Sequence, residues 1–279
     1  MSVPARPAGR PASLTVRSGR VKAARRLLRR SARAERRLFL AEGPRAVREA
    51  LAVPGCVREV FLSSAALGAH ANLVDECRAC EIPWHAVEDA ALGSLSETVT
   101  PQGVVAVCEF LDVDVSAILE SRPRLLAACA SVRDPGNAGT VIRCADAAGA
   151  QGVVMAGESV DAYNGKAVRA SAGSLFHLPL AVEADPADVV RRAGEAGLLV
   201  LATSSDGELD LDDAVDDRLL ARPTAWLFGN EAHGLAPELA GLADHRVRIP
   251  IHGRAESLNL ATAAAVCLYA SARSHRGWA

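Results

Sequence analysis

The sequence predicts an α/β protein of two domains, and three observations lead to this prediction. Strand-like apolar segments alternate with helical segments along most of the 279 residues. Half of the residues are hydrophobic and 23% are charged, so the chain has enough apolar material for a packed core. An acidic, weakly patterned stretch at residues 111–123 divides the alternation into two parts. We therefore predict a smaller α/β domain at residues 18–110, a linker at residues 111–123, and a larger α/β domain at residues 124–279.

The first 37 residues are strongly positive, whereas the rest of the chain carries a net negative charge. They hold twelve Arg and Lys residues and one acid, Glu35, which gives a net +11, whereas the whole chain is −2 and the remainder −13. Residues 1–17 are rich in Pro, Ala and Arg and are predicted to be a disordered basic tail. Residues 18–37 are predicted to be helical and to display arginines to the phosphates of a polyanion such as nucleic acid, with a solvated surface helix as the alternative. The arginines assigned to this contact are Arg25, Arg26, Arg29 and Arg30.

Strands and helices alternate through the rest of the first domain. Pro44 stands where a helix begins, because its missing N–H costs nothing in the first helical turn. The predicted strands are residues 38–41, 57–62, 82–87 and 104–109, and the predicted helices are residues 43–52, 64–81 and 88–95.

The second domain repeats a strand–helix alternation over about 150 residues. Such a pattern predicts a mostly parallel sheet with helices on both faces. The predicted strands are residues 125–129, 152–156, 176–182, 198–203, 224–228 and 247–251, and helices are predicted to end at residue 148 and to span residues 162–172, 187–196 and 258–274.

Cysteine usage and hydropathy predict a cytoplasmic protein. The seven cysteines are an odd number in mostly apolar contexts, which is typical of free thiols in a reducing compartment. Cys77 and Cys80 form the one close pair, and no second pair completes a zinc site, so no metal is expected. The sequence has no apolar run of about 18 residues and no signal-peptide core, so no membrane association is expected.

Three polar loops follow predicted strands of the second domain, whereas the familiar nucleotide-binding and hydrolase motifs are missing from the chain. The loops are D-P-G-N-A-G-T-V-I-R at residues 134–143, L-F-G-N-E at residues 227–231, and I-P-I followed by E-S-L-N-L at residues 249–260. The carboxyl edge of a parallel sheet is where such folds bind ligands. Each loop alone also has an ordinary interpretation, since Asn137, Ser257 and Asn259 could be helix caps and Arg143 could form a surface ion pair.

Taken together and in this order, the three loops resemble the motifs of the SpoU (TrmH-like) branch of the SPOUT RNA 2′-O-ribose methyltransferases. The resemblance covers residues 124 to about 273. Ile251 stands where methionine is frequent in the family, which exchanges one apolar side chain for another. The first domain also resembles the ribosomal-protein-like RNA-binding domain that is often fused to this family.

The resemblance implies a trefoil-knotted domain that binds S-adenosylmethionine and works as a homodimer, with each active site completed across the interface. Arg169 would contact an RNA phosphate from the partner subunit. The residues that the resemblance assigns to the cofactor are Thr203, Ser204, Gly229, Asn230, Ile249, Ile251 and Leu258.

The resemblance also assigns catalytic roles to five residues. Arg143 would orient the ribose or a phosphate and stabilise the developing oxyanion, since a guanidinium is a poor base. Asn137 would fix this arginine or the target sugar, and Glu231 would pair with Arg143 or another arginine. Ser257 and Asn259 would shape the pocket and bind the methionine end of the cofactor or the target ribose.

The implied reaction is methyl transfer to a ribose 2′-hydroxyl of RNA, with large-subunit ribosomal RNA as the favoured substrate. Transfer RNA is the alternative substrate. A non-catalytic RNA-binding protein of the same fold is an alternative function, although the presence of all five motif residues argues against it. A base methyltransferase of the same knotted superfamily is a further alternative, and a methyl group found on a base would support it.

Overall fold

The computed structural model describes residues 13–183 and 185–276, and the chain divides into two compact units between Phe110 and Leu111. The first unit holds a four-stranded sheet of order β1-β4-β2-β3, in which β4 is antiparallel to both neighbours and β2 is parallel to β3. Its elements are α1 (Gly19–Arg26), α2 (Arg30–Arg36), β1 (Leu38–Glu42), α3 (Pro44–Leu51), β2 (Val57–Ser63), α4 (Ser64–Ala69), α5 (Ala71–Ala79), β3 (Trp84–Val87), α6 (Asp89–Gly93) and β4 (Val104–Glu109).

Two helix predictions for the first unit are corrected by breaks in the chain. The helix predicted at residues 64–81 is divided at His70, whose φ of −130° and ψ of 46° are not helical, and Gly68 weakens the turn before it. The helix predicted at residues 18–37 is divided at Arg29, which is extended, and this separates α1 from α2. Both breaks are caused by non-helical backbone angles at single residues, which the spacing of hydrophobic residues does not predict.

The predicted disordered tail is corrected where it can be compared with the structure. Leu14 forms a parallel bridge with Val87, in which the Leu14 N–H donates to the Ala86 carbonyl at 2.8 Å and the Leu14 carbonyl accepts from the Glu88 N–H at 3.0 Å. The Leu14 side chain also packs against the core of the unit. Residues 1–12 of the predicted tail lie outside the described residues.

The second unit is built on an eight-stranded sheet of order β10-β12-β9-β11-β6-β7-β8-β5, whose strand pairs are all parallel in the described part of the chain. Its elements are β5 (Asp112–Val113), α7 (Val115–Glu120), β6 (Leu125–Ala130), α8 (Pro135–Ala148), β7 (Val153–Ala156), α9 (Gly165–Ala170), β8 (Leu180–Glu183), α10 (Pro186–Glu195), β9 (Leu199–Thr203), β10 (Leu209–Asp210), α11 (Leu211–Asp216), β11 (Thr224–Phe228), α12 (Pro237–Ala240), β12 (His245–Arg248) and α13 (Leu260–His275).

Helices cover both faces of this sheet, as the buried central strands require. Ala225 and Leu227 of β11 belong to a core cluster with residues of α7, α10 and α12. Trp226 alternates to the opposite face, where its indole N–H donates to the buried Ser271 hydroxyl of α13 at 2.9 Å. The prediction of a parallel sheet between two helical layers is therefore confirmed.

The linker predicted at residues 111–123 is instead part of the second unit. Asp112 and Val113 form edge strand β5 beside β8, and Ile118 of α7 is buried in the core. The Tyr163 hydroxyl accepts from the Leu111 N–H at 2.8 Å and donates to the Asp112 carboxylate at 3.1 Å. The segment is not a solvated linker, since Val115, Ile118 and Leu119 are all buried.

Three boundaries in the second unit differ from the predicted ones. The strand predicted at residues 176–182 begins at Leu180, after a 3₁₀ turn at Ser174–Phe176, and the strand predicted at residues 247–251 lies at His245–Arg248. The last helix begins at Leu260 rather than at residue 258, because the Asn259 side chain caps it. In the part of the chain that the structure describes, no helix combines the length and the apolar character needed to span a bilayer.

Candidate active site

The ends of β6 and β11 bring the first two motif loops together. The strands are parallel neighbours, with Phe228 opposite Cys129, so their carboxyl ends meet at one edge of the sheet. The Asn230 side-chain amide, after β11, donates to the Ser131 carbonyl, after β6, at 2.9 Å. Ser131 has a φ of 57°, so the chain turns sharply away from β6 at this point. The sheet topology therefore joins two loops that lie 99 residues apart in sequence.

The Glu231 carboxylate fastens the second motif loop to the start of α8. One oxygen accepts from the Asp134 N–H at 2.9 Å and from the Asn137 amide at 3.1 Å, and the other accepts from the Arg133 N–H at 3.0 Å. Glu231 thus binds two backbone groups at a helix N-terminus, where a negative charge is favourable. This corrects the expectation that Glu231 pairs with an arginine side chain.

Asn137 and Asn259 join the third motif to the other two. The Asn259 amide donates to the Asn137 carbonyl oxygen at 3.1 Å, while the Asn259 side-chain oxygen accepts from the Ala261 N–H at 2.9 Å and caps α13. Asn137 therefore uses its amide on Glu231 and its oxygen on Asn259. We call Asn137, Glu231 and Asn259 the motif network. Asn137 was expected to fix either Arg143 or the target sugar. In this network its side chain binds Glu231 and Asn259, and it does not bind Arg143.

Asp134 and Lys166 support the motif network and were not predicted. Asp134 is the N-cap of α8, accepts from the Asn137 N–H at 2.9 Å, and binds the Lys166 ammonium at 2.7 Å. Asp134-Pro135 is a helix-start signal, so Asp134 could have been found from the sequence. Lys166 lies in the first turn of α9, and no sequence signal connects it to Asp134.

The motif-two turn is shaped by Gly229 and Asn230. A Cβ atom on the buried Gly229 would lie 2.3 Å from the Gly234 carbonyl carbon, so the returning chain leaves room only for glycine. The Asn230 and Gly234 backbones exchange two hydrogen bonds of 2.9 and 2.8 Å, and the Asn230 side-chain oxygen accepts from the Ala232 N–H at 2.9 Å. Both residues were assigned to the cofactor, and here they set the path of the loop.

Charge and burial act in opposite directions on the two acids of the site. Burial raises the pKa of the Glu231 carboxyl, but the hydrogen bonds from the Arg133 and Asp134 backbone and from Asn137 outweigh it and leave the pKa below its ordinary value. The hydrogen bond from Lys166, followed by that from the Asn137 N–H, lowers the pKa of Asp134. Both carboxylates are therefore acceptors that stay ionised at neutral pH.

Arg143 and Ser257 are not members of the motif network. Both side chains are exposed, and neither makes a hydrogen bond or ion pair with a described residue. Arg143 lies in the middle of α8, after the turn that carries Asn137. The structure thus separates the five residues assigned to catalysis into three that bind one another and two whose polar groups are available to a ligand.

The remaining residues assigned to the cofactor lie at the same edge of the sheet or in the loop before α13. The Thr203 hydroxyl, at the end of β9, donates to the Leu227 carbonyl at 3.1 Å, and the Ser204 hydroxyl donates to Asp206. Ile249 is half-buried, whereas Ile251 and Leu258 are 38% and 37% exposed. These two exposed apolar side chains flank a loop without regular structure.

The arginines assigned to RNA contact fall into two settings. In the first unit, Arg25, Arg26, Arg29 and Arg30 are exposed, and their side chains make no hydrogen bond or ion pair with any described residue. Arg169 of the second unit is half-buried in the last turn of α9.

Two family descriptions match nearly all of the described chain. Residues 124–269 match the SpoU rRNA Methylase family, and residues 19–106 match the MRM3-like substrate binding domain. The chain belongs to the SpoU rRNA methylase family. The family prediction made from the three motif loops is confirmed, and so is an N-terminal substrate-binding domain ahead of the SpoU domain.

Characterised relatives and solved structures extend over most of the chain. The 23S rRNA (guanosine(2553)-2′-O)-methyltransferase RlmP of Bacillus subtilis is 32% identical over 260 residues, which cover 91% of this chain and 96% of the relative. A 23S rRNA (uridine(2479)-2′-O)-methyltransferase of Streptomyces viridochromogenes is 38% identical over 187 residues, or 65% of this chain and 63% of the relative.

Two SpoU-type crystal structures resemble the whole chain. The SpoU methyltransferase AviRb from Streptomyces viridochromogenes, in complex with the cofactor AdoMet, has a TM-score of 0.80 and 32% identity over 93% of this chain and 99% of that one. An AdoMet-bound rRNA methyltransferase from Sinorhizobium meliloti has a TM-score of 0.78 and 32% identity over 94% of this chain and 98% of that one.

Proposed function

We propose that this protein transfers a methyl group from S-adenosylmethionine to a ribose 2′-hydroxyl of large-subunit ribosomal RNA. The observation that carries the proposal is the motif network, because it gathers three loops with the family's residues at one edge of a parallel sheet. The named relatives that methylate 23S rRNA at a 2′-oxygen support the substrate class.

The residues around this edge fit the cofactor. The loop at residues 250–258 makes no backbone hydrogen bond within the described part of the chain, so its N–H and C=O groups are available to a ligand. Ile251 and Leu258 add exposed apolar surface. The tight turn at Gly229 would let the backbone of the motif-two loop approach the cofactor closely. These features suit recognition of an adenosine and a methionine moiety by backbone groups and apolar contact. When bound, S-adenosylmethionine supplies a methyl group on a positively charged sulfur.

Arg143 is the residue to which we give the chemical role. A guanidinium is cationic at neutral pH and has five donors and no acceptor, so it does not act as a base. As the O2′–carbon bond forms and the carbon–sulfur bond breaks, the 2′-hydroxyl gives up its proton to water or to an RNA phosphate. Before that bond is complete, Arg143 stabilises the partial negative charge that develops on O2′ as the proton leaves, and it orients the adjacent phosphate. Ser257 remains a proposed ligand contact, since its hydroxyl is exposed.

Asn137, Glu231 and Asn259 act in this proposal by positioning. Their hydrogen-bonding groups are occupied by one another, by α13, or by the start of α8. They hold the motif loops in the arrangement that binds the cofactor, and they do not themselves move a proton.

We further propose a trefoil knot, as the resemblance implies. Strand β12 lies beyond β9 in the sheet, yet α13, which follows it, packs against α8 and against β11 and β6. The segment between β12 and α13 must therefore cross back over the strand ends. This crossing is the feature of the chain that supports a knot.

A homodimer in the cytoplasm completes the proposal. Helix α13 exposes Val266 (38%) and Tyr269 (53%), which border a groove of about 790 Å³ between α8, α11 and α13. A second copy would cover this apolar surface, and Arg169 would contact the RNA bound by the partner. Light scattering of the purified protein should give twice the mass of one chain. A mass of one chain at working concentrations would contradict the dimer.

A labelling experiment tests the function and chooses the RNA. Protein is incubated with tritiated S-adenosylmethionine and with unmodified 23S rRNA or, separately, unmodified tRNA. We expect label in the 23S rRNA. Label in tRNA alone would identify tRNA, and not ribosomal RNA, as the substrate. Cofactor binding without label in either RNA would favour a non-catalytic RNA-binding role.

A further inference from the structure

Seven arginines lie between residues 25 and 37, and one of them differs from the rest in its surroundings. Six are exposed, whereas Arg33 is only 3% exposed. A guanidinium is seldom buried unless its N–H groups are hydrogen-bonded, because removing its charge from water costs several kcal/mol. The burial of Arg33 therefore requires partners, and the structure provides them.

Arg33 binds the carboxyl end of the helix before its own. Its Nη1 donates to the Leu27 carbonyl at 2.8 Å and to the Leu28 carbonyl at 3.0 Å. These carbonyls follow the last turn of α1, where the helix leaves acceptors without helical partners and carries partial negative charge. The Arg33 guanidinium donates hydrogen bonds to these carbonyls, and its positive charge offsets the partial negative charge of the helix end.

Helix α2 has no other buried anchor. Arg33 is its one buried residue, whereas α1 is fixed to the core by Val21, Ala24 and Leu27. The chain between the helices is extended at Arg29 and has no side-chain cap at the start of α2. The attachment of α2 to α1 therefore depends on the Arg33 guanidinium.

The arginines assigned to RNA contact stand on both sides of this attachment. Arg25 and Arg26 are in the last turn of α1, Arg29 is in the connection, and Arg30 begins α2. Four cations on one rigid surface lose less entropy on binding a phosphate chain than four on a moving segment, so a fixed arrangement raises affinity.

We propose that Arg33 is a positioning residue that docks α2 onto α1 and thereby fixes Arg25, Arg26, Arg29 and Arg30 as one preorganised surface for the phosphates of folded RNA. This inference rests on the proposed function, because it takes RNA as the partner. It adds a residue whose own charge does not face the RNA.

Lysine cannot replace Arg33 in this role, and this gives the test. An ammonium keeps the charge, but it costs more to bury than the more weakly hydrated guanidinium, and the lysine chain is one bond shorter than the chain that places Arg33 Nη1 against both carbonyls. Arg20, by contrast, is exposed on α1, pairs with Glu59, and is not among the four arginines of the proposed surface. The variants Arg33→Lys and Arg20→Lys therefore keep the same net charge and differ only in the position of the exchange.

Filter binding of an unmodified 23S rRNA transcript is measured for the wild type and both variants over a range of salt concentrations. We expect Arg33→Lys to weaken binding about tenfold and to reduce the slope of log affinity against log salt by about one, since fewer phosphates are engaged at once. Arg20→Lys should remain within about twofold of the wild type. Equal affinity of Arg33→Lys and the wild type would overturn the inference.

Hydrogen exchange on the same samples separates loss of docking from unfolding. We expect faster exchange at the α2 amides of Arg33→Lys, with the sheet of the first unit unchanged. Unchanged α2 exchange would overturn the inference. If Arg33→Lys unfolds throughout, Arg33→Gln, which can still donate to one carbonyl, is used with the same outcomes. Failure of the proposed function is distinct, because the wild type itself would then bind no 23S rRNA or would bind it without transferring a methyl group to it.

Discussion

The two units present their functional side chains in opposite ways. In the first unit, Arg25, Arg26, Arg29 and Arg30 are exposed, and no hydrogen bond joins their side chains to one another or to other described residues. In the second unit, Asn137, Glu231 and Asn259 are joined by hydrogen bonds into one network. Loss of one member of a dispersed surface removes one contact, whereas loss of one member of a network leaves its neighbours unpaired. The first unit should therefore respond to mutation in small steps and the second in large ones.

The largest expected effect is at Arg143, which belongs to the second unit but not to its network. Arg143→Ala should lower the rate of methyl transfer about a hundredfold to a thousandfold, the range found when one charge-stabilising donor is removed. Affinity for S-adenosylmethionine, measured by calorimetry, should stay the same. Arg191→Ala, at an arginine that pairs with Asp188 and Glu195 on α10, is the matched control and should leave the rate unchanged. Transfer at the wild-type rate by Arg143→Ala would remove Arg143 from the chemistry.

The next effect tests the network itself. Glu231→Gln keeps the size of the side chain but turns an NH₂ group toward an N–H donor of Arg133 or Asp134. We expect kcat/KM for methyl transfer to fall about tenfold to a hundredfold and cofactor affinity to fall with it, because one backbone donor that joins the motif loops loses its acceptor. Glu195→Gln on α10 is the control. An effect confined to kcat, with cofactor affinity intact, would indicate a direct catalytic role for Glu231 instead.

A smaller effect is expected for the dispersed surface. Replacing Arg25, Arg26, Arg29 and Arg30 by Gln should reduce the slope of log affinity against log salt by about three, and single substitutions should each reduce it by about one. Substitution is preferable to deletion of α1, since Val21 and Leu27 belong to the core.

The control set for this surface consists of four arginines of the same unit that already pair with acids. They are Arg20 with Glu59, Arg48 with Glu76, Arg58 with Glu109, and Arg78 with Asp75. Replacing these four by Gln should change the salt slope little. Equal slopes for the two quadruple variants would mean that total charge, and not the α1–α2 surface, determines RNA binding.

The smallest effect concerns pH. Because the folded-state pKa of Glu231 lies below its ordinary value of 4.5, the ionised carboxylate contributes stability above that pH. This contribution is lost as the pH falls through the lowered folded-state value. The difference in free energy of unfolding between wild type and Glu231→Gln should be at most about 0.5 kcal/mol at neutral pH, because solvent screens the exposed carboxylate, and it should vanish in acid. A difference that stays constant with pH would show that the network does not depend on the charge.

The succession of strands and helices along the chain was predicted from the sequence more accurately than the contacts between distant segments. Alternating apolar segments were sufficient to predict the layers of the second unit, because buried parallel strands have few other solutions. The resemblance selected Asn137, Glu231 and Asn259, but their mutual hydrogen bonds depend on which strands become neighbours. Lys166 was missed for the same reason, since its contact with Asp134 crosses from α9 to α8.

Some differences in burial between residues also could not be predicted from their neighbours in sequence. Arg33 and Arg30 have similar sequence surroundings, yet one is buried and the other exposed, because the break at Arg29 turns α2 back toward the end of α1. Asp112 and Ile118 were predicted within a linker because that stretch carries three acids and no clear hydrophobic periodicity. Their placement in the second unit depends on pairing with β8, which is more than 60 residues away and is invisible to composition.

The most direct test of the central claim locates the methyl group on the RNA. Unmodified 23S rRNA is labelled with tritiated S-adenosylmethionine by the wild-type protein and then digested with alkali, which requires a free 2′-hydroxyl to cleave each phosphodiester bond. Because a 2′-O-methyl group blocks that cleavage, we predict that the label stays in an alkali-resistant dinucleotide. Label released in mononucleotides would place the methyl group on a base and would contradict the account.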